Sequence, residues 1–273
     1  MNQPYSIPAT TAPLVFAVAS GKGGVGKTFF SVHLALLSRM MKPRVLLVDG
    51  DLGLSNIEVA MGLHPRHHLG DVLSGARSIA DAVTVHPKSG LHILAGGAGV
   101  RELADLTPER RHSITTTLED SFRDYDVVVI DAGAGVHPAV MFLVEMATMP
   151  VVVTTREPQS MADAYSFLKI ASTTGRHREF HMVMNQIDDE KSARDAFARL
   201  SEVVGRFLPV RLRLLGCVPD DGAVTDAGYR RRSLFDLNFT PPAARAVWTI
   251  GEHLLEAASR AVAEPATSQA CAG

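Results

Sequence analysis

Ser20-Gly21-Lys22-Gly23-Gly24-Val25-Gly26-Lys27-Thr28-Phe29-Phe30 reads SGKGGVGKTFF and carries two lysines five residues apart. Residues 21–28 satisfy G-x-x-x-x-G-K-[ST], between an apolar run, LVFAVA at 14–19, and a helical pattern starting near residue 29. Glycines let backbone N–H groups approach phosphate oxygens, and a helix start adds the positive end of its dipole. In such a loop Lys27 neutralises the β- and γ-phosphates and the Thr28 hydroxyl ligates Mg²⁺. The same residues also fit G-x-G-x-x-G through Gly21, Gly23 and Gly26, with Asp49 and Asp51 near the distance expected in a dinucleotide site. That alternative leaves Lys27-Thr28 without a task and has no use for a second acidic strand end at Asp131. One lysine is enough to hold a phosphate, so Lys22 needs a reason of its own.

Two further strand ends supply acids. VVVID, ending at Asp131, puts a carboxylate at the tip of a buried strand, where it can hold Mg²⁺ directly or through water. In isolation it would read as a cap on the following turn. VDGDLGLSN, 48–56, places Asp49 and Asp51 on the same side of an extended chain, within reach of one magnesium–water cluster. An Asp there suits the orientation of an attacking water.

Beyond these motifs, Val/Ile/Leu-rich runs recur at 14–19, 44–49, 91–96, 126–131, 150–155, 180–185 and 212–219. Their apolarity is continuous, which predicts strands buried on both faces of a parallel sheet. Helical patterns at 29–41, 108–122, 138–148, 159–173, 189–207 and 241–262 alternate with them. The expectation is an α/β fold: one doubly wound, mostly parallel sheet with helices on both faces, ligands binding beyond the carboxyl ends of its strands. Residues 14–262 form the domain, flanked by flexible arms at 1–13 and 263–273 that are rich in Pro, Thr and small residues.

The chain has 273 residues, 46% hydrophobic and 21% charged, enough for one large core and without an evident linker. A net charge of −2 with dispersed Lys and Arg argues against a broad nucleic-acid footprint. Cys217 and Cys271 make neither a disulfide framework nor a metal-ligand spacing, which fits a reducing, cytoplasmic setting. No signal peptide and no run of about 20 apolar residues is present.

With loop and acidic strand ends in place, the chain resembles the MinD/ParA group of P-loop ATPases, whose deviant Walker A signature K-G-G-x-G-K-[ST] matches Lys22 to Thr28. Within that group it is most similar to the FlhG/FleN branch, which controls flagellar number and placement. The branch signals are DGDLGLSNIEVAMGLHP at 49–65, HLGDVLSG at 68–75, GLHILAGGAG at 90–99, YDVVVIDAGAG at 125–135, EPQSMADAYSFLK at 157–169 and VPDD at 218–221. The resemblance covers roughly residues 14–255. It implies binding and slow, partner-stimulated hydrolysis of ATP with Mg²⁺, coupled to face-to-face homodimerisation. Gly21 to Thr28 would cradle the nucleotide, and Lys22 would reach the partner's phosphates. Asp51 would activate water, Thr28, Asp49 and Asp131 would serve magnesium, and Asn56 would lie near the dimer face. Asn185, with Pro219 and Asp220, would meet adenine, although Asn185 also reads as a strand-end cap. Implied partners are flagellar: an FlhF-like GTPase, switch-ring proteins or a transcriptional regulator, in the cytoplasm or peripherally at the membrane or cell pole.

The chain departs from the family pattern in three places. Residues 1–13 lack the D-Q-A-x-x-L-R motif of the branch's GTPase-stimulating helix, and Arg156 precedes Glu157-Pro158 with no role beyond a solvated charge. Relatives commonly end in a membrane-targeting amphipathic helix. Residues 241–262 do give an apolar stripe, Ala244, Val247, Trp248, Gly251, Leu254, Leu255, Ala258 and Ala261, but the opposite face mixes Arg with Glu. Interfacial anchors favour a cationic face, so core docking is the expectation and membrane binding the alternative. His64, His67 and His68 read as a solvated loop rather than a ligand set. Arg230-Arg231-Arg232 reads as solvated, with contact to nucleic acid or an acidic partner as the alternative. Helix 159–173 reads as packed with one polar face. A ParA-type partitioning ATPase, or a nucleotide-gated module without hydrolysis, are the rival functions.

Overall fold

Alternate residues of each central strand enter opposite halves of the core. Val15, Ala17 and Ala19 join one buried cluster and Leu14, Phe16 and Val18 the other; Leu46 and Val48 oppose Val45 and Leu47, and Val128 and Ile130 oppose Val127 and Val129. This is why the runs are apolar without alternation. The computed structural model describes residues 12–51, 56–97, 107–237 and 240–263, with backbone only for Asn56, Leu237 and residues 261–263. The two arms expected at the ends lie almost wholly outside the described residues.

Among these, eight strands form one sheet: β1 (Leu14–Ser20), β2 (Val45–Asp49), β3 (Thr84–Val85), β4 (His92–Leu94), β5 (Val127–Ala134), β6 (Met149–Thr154), β7 (Glu179–Ile187) and β8 (Arg211–Pro219). Their order is β3-β4-β2-β5-β1-β6-β7-β8. Every pairing is parallel except β3 with β4 at the edge. All seven expected strands are present. The eighth, β3, is a two-residue antiparallel addition that no apolar run announces.

The ten helices described are α1 (Lys27–Met41), α2 (Asn56–Met61), α3 (Leu69–Leu73), α4 (Ile79–Ala82), α5 (Pro108–Phe122), α6 (Pro138–Glu145), α7 (Pro158–Thr173), α8 (Glu190–Phe207), α9 (Gly222–Tyr229) and α10 (Pro242–Ala263), with a 3-10 turn at Leu234–Leu237. Helices α3 to α8 pack on one face of the sheet, and α1, α2, α9 and α10 on the other. Proline opens α5, α6 and α7, where its missing N–H costs nothing and its fixed φ suits the first turn. Asp189 caps α8 by accepting from the Lys191 and Ser192 amides. Asp221 caps α9 through Ala223 N at 3.0 Å and reaches Ala243 N at 3.1 Å, tying the starts of α9 and α10 together.

Helix α10 lies in the core. Ala244, Val247, Leu254, Leu255 and Ala258 are buried, and a Cβ on Gly251 would come within 2.2 Å of Leu37 Cδ2 in α1. The stripe that fitted two readings is thus covered by protein; the side chain of Ala261 lies outside the described ones. No helix among the described residues is long and apolar enough to cross a membrane. His68 immediately precedes α3, its backbone N–H donating to Asp71 Oδ2 at 2.9 Å, so the histidine loop ends at the start of a short helix.

Strand β1 lies between β5 and β6, and the chain leaves it toward β2 on one side while β6 to β8 extend on the other. Such a switch point opens a crevice at the carboxyl ends of the strands. The register aligns Asp49 of β2 with Asp131 of β5, and Val18 of β1 with the same Asp131.

Candidate functional site

The loop between β1 and α1 is built by its glycines. Gly24 and Gly26 have φ of 80° and 89°, the left-handed region that glycine enters without penalty. A Cβ on Gly26 would lie 2.0 Å from Asn185 Nδ2, and one on Gly21 would lie 2.2 Å from the Asp163 backbone in α7. By contrast, Cβ atoms on Gly23 or Gly24 would meet nothing within 4 Å. The loop is therefore pinned at its two ends and open in its middle, where the amides of the first turn of α1 lack helical partners.

Strand β7 holds this loop from the side. Asn185, buried, donates from Nδ2 to Val25 O at 2.8 Å, and Gln186 donates from Nε2 to Gly24 O at 3.3 Å. Gln186 has φ of 57°, an uncommon conformation for a non-glycine residue, and it turns that amide onto the loop. The sequence alone suggests a base contact or a strand-end cap for Asn185 and carries no signal for Gln186. Their partners lie some 160 positions away in sequence.

Behind the loop sit the buried charges. Lys27 Nζ is 3.7 Å from Asp131 Oδ1, with side chains 8% and 0% exposed. Burial raises the Asp131 carboxyl above its usual range, opposed by Lys27 and by the Thr28 and Ser31 hydroxyls beside it. Among the described residues neither Asp131 oxygen has a hydrogen-bond partner. Asp49 differs: Oδ1 accepts from Asp51 N at 3.1 Å and Oδ2 from Ile57 N at 3.4 Å. Burial pushes the Asp49 carboxyl up to about 7, with Asp131 and Asp51 adding to the rise and the two amides opposing it. Two neighbouring buried carboxylates with a single lysine leave uncompensated negative charge, and unpartnered buried oxygens are costly. A divalent cation bound at Asp131 and Thr28 would remove that cost, so the residues present fit magnesium. The open cradle at Gly23 and Gly24 fits a phosphate in the same way.

Lys22 meets a different environment. Its Nζ donates to Glu157 Oε2 at 3.3 Å, with side chains 41% and 65% exposed. Glu157 immediately precedes α7 and was not singled out from sequence. Arg156 beside it is not merely solvated: it donates to Asp188 Oδ2 at 2.6 Å, joining the ends of β6 and β7. Pro219 ends β8 beside Ile187, and Asp220 N donates to Ile187 O at 3.0 Å, so both lie at the same rim as Asn185. Asp51 lies two residues beyond the end of β2. Asn56 begins α2, its side chain lying outside the described ones.

A family model described as the CobQ/CobB/MinD/ParA nucleotide-binding domain matches residues 16–234, which include every site residue just described. The chain belongs to the MinD/ParA family of P-loop ATPases. Among the relatives of this MinD/ParA-family chain, the antiactivator FleN of Pseudomonas aeruginosa is 34% identical over 222 residues, covering 81% of this chain and 79% of FleN. The flagellum site-determining protein YlxH of Helicobacter pylori is 28% identical over 204 residues, 74% of this chain and 68% of YlxH. The septum site-determining protein MinD of Pyrococcus horikoshii, solved with Mg-ADP, superposes with a TM-score of 0.71 at 21% identity. It spans 89% of this chain and 96% of that one, and establishes the fold.

Proposed function

We propose that the chain is an ATP-dependent dimerisation switch of the FlhG/FleN type, cytoplasmic, regulating flagellar number, placement or assembly through partners met in its dimeric state. One observation carries the switch: the two loop lysines have opposite environments. Lys27 is buried against Asp131, where it can serve only its own nucleotide. Lys22 stands at the exposed edge of the loop on a surface ion pair worth about 1 kcal/mol or less, so it is free to exchange Glu157 for a second chain's phosphate. The likeness to FleN and the flagellar role named for YlxH support the branch, and the Mg-ADP of the Pyrococcus relative supports the cofactor.

In this reading the cradle at Gly21 to Thr28 binds phosphates, and Thr28, Asp49 and Asp131 would hold magnesium, directly or through water. Magnesium, when bound, supplies positive charge against the phosphate oxygens. Asp51 orients the water, while Asn185 and Gln186 keep the loop in shape. Asn185, Pro219 and Asp220 border the base, and Asn56 lies near the dimer face.

Fluorescent-nucleotide titration and light scattering with ATP test the two roles. Lys27→Ala is expected to lose at least about ten-fold in nucleotide affinity, the scale of a lost charge-assisted contact. Lys22→Ala should bind nucleotide but remain monomeric and release no phosphate. Identical behaviour of the two variants would sink the proposal. Deletion of the gene followed by electron-microscopic counting of flagella tests the branch separately, an unchanged count removing the flagellar role.

A further inference from the structure

A recess of about 670 Å³ lies along α1, beginning at Thr28, within the range of roughly 300–1,000 Å³ typical of small-molecule sites. Its wall is apolar, formed by Phe29, Val32, Leu36 and Met40 of α1 with Met61 of α2 and Phe235. Met40 is 59% exposed there, unusual for a large apolar side chain on a helix whose other apolar residues are mostly buried.

The mouth is cationic. Arg39, Lys88, Arg231 and Arg232 line it against one carboxylate, Asp236, whose Oδ2 accepts from Ser233 N. Arg39 directs its guanidinium at the carbonyls of Gly90 and Lys42. Among the described residues no ion pair includes Lys88, Arg231 or Arg232. The two histidines of the recess add no charge: burial lowers His33 to about 4 and also lowers His86.

Arg231 is a second, independent observation. Its φ is 50°, in a turn closed by Arg231 N to Gly228 O at 3.1 Å and Arg232 N to Ala227 O at 2.9 Å. Glycine is the residue favoured at such a position after a helix, and an arginine there costs about 1 kcal/mol. Its side chain passes Gly62, just beyond α2, with Cδ 3.8 Å from where a Cβ would stand. A strained cation at the mouth of an apolar recess is the pattern of a site in which binding outweighs local stability.

We propose that this recess is an effector site for a soluble organic anion with an apolar body, an aryl or alkyl sulfonate, carboxylate or phosphate ester, and that its occupancy is coupled to the nucleotide site. Walls contributed by α1, α2, α9 and the 3-10 turn favour one molecule over a bilayer surface. The coupling follows from shared parts. Thr28 lines the recess, and α2, which supplies Met61 to it, also donates Ile57 N–H to Asp49. This half rests on the proposed nucleotide reading; the binding half does not.

The test uses 1-anilinonaphthalene-8-sulfonate and its uncharged counterpart N-phenyl-1-naphthylamine as fluorescent probes of the full chain without nucleotide. Wild type should bind the sulfonate at one saturable site, several-fold tighter than the neutral dye. Arg231→Gly should fold at least as stably by thermal denaturation, yet lose about five-fold in sulfonate affinity with the neutral dye unchanged. Ala60→Trp, which fills the recess, should remove both. No saturable site, or both dyes indifferent to both variants, overturns the site. Displacement of the dye by phosphatidylglycerol vesicles that sediment the protein overturns a soluble ligand. With Mg-ADP present, sulfonate affinity should shift by at least three-fold, and Mg-ADP affinity by the same factor when the dye saturates. Equal affinities overturn the coupling, whereas failure of Mg-ADP to bind at all would count against the nucleotide reading and leave the dye titrations as the test of the recess.

Discussion

At the scale of single residues, the loop depends on backbone conformations that only glycine tolerates and on side chains that arrive from elsewhere. Gly26 combines both demands, with φ of 89° and Asn185 Nδ2 at 2.0 Å from any Cβ. Gly26→Ala is therefore expected to destabilise the fold by about 2–3 kcal/mol and to abolish nucleotide binding, as urea titration and fluorescent-nucleotide binding would show. Asn185→Ala removes a buried hydrogen bond and leaves Val25 O unsatisfied, at a cost of about 1–3 kcal/mol. If Asn185 met only a base, stability without nucleotide would be unchanged. The glycine spacing was legible because a phosphate loop is a local device, its residues being adjacent in the chain. The grip of Asn185 and Gln186 was not, because nothing in residues 20–30 tells which strand will end beside them.

At the scale of elements, length separated what was legible from what was not. Helices of eight residues or more repeat an apolar face often enough to be read: α8 buries Ala193, Ala196, Leu200 and Val204 at helical spacing. Helices α2, α3 and α4 have six, five and four residues, too short for a period, and α9 begins and nearly ends in glycine. For α10 the pattern was clear and its destination was not. An apolar stripe serves a membrane or a core equally, and only the packing against Leu37 and β8 assigns it. Leu254→Ala should accordingly cost about 2–5 kcal/mol in chemical denaturation, the penalty of a core cavity. His253→Ala on the exposed side should stay within about 0.5 kcal/mol. A membrane anchor would show the opposite: little change in stability on either substitution.

At the scale of the whole molecule, His33 joins distant parts of the chain. Nδ1 lies 2.8 Å from Phe29 O and Nε2 accepts from Leu234 N at 3.0 Å, so the neutral ring, protonated on Nδ1, pins the 3-10 turn to α1. Burial lowers its pKa from 6.5 to about 4, against the hydrogen bond to Phe29 O and the charge of Asp236. Below pH 6.5 the unfolded chain binds a proton here that the folded chain refuses, so stability falls as pH falls toward 4. The loss amounts to about 3 kcal/mol. The raised carboxyls of Asp49 and Asp131 act oppositely, favouring the magnesium-free fold as pH falls, so total stability alone hides the effect. Subtracting the urea-unfolding profile of His33→Gln from that of wild type isolates it: the difference should decline by about 3 kcal/mol between pH 7 and 4, and a flat difference would refute the pin.

The sequence by itself determined the sheet, the phosphate loop and the acidic strand ends, because these are written in contiguous residues whose apolarity, spacing and glycine content act over a few bonds. Only the tertiary structure decided that Lys27 is buried while Lys22 is not, that Asp49 uses its oxygens on backbone amides while Asp131 faces Lys27 and accepts no hydrogen bond among the described residues, and that α10 belongs to the core. Burial and charge balance depend on what the chain brings alongside from far away, and no local pattern carries that information.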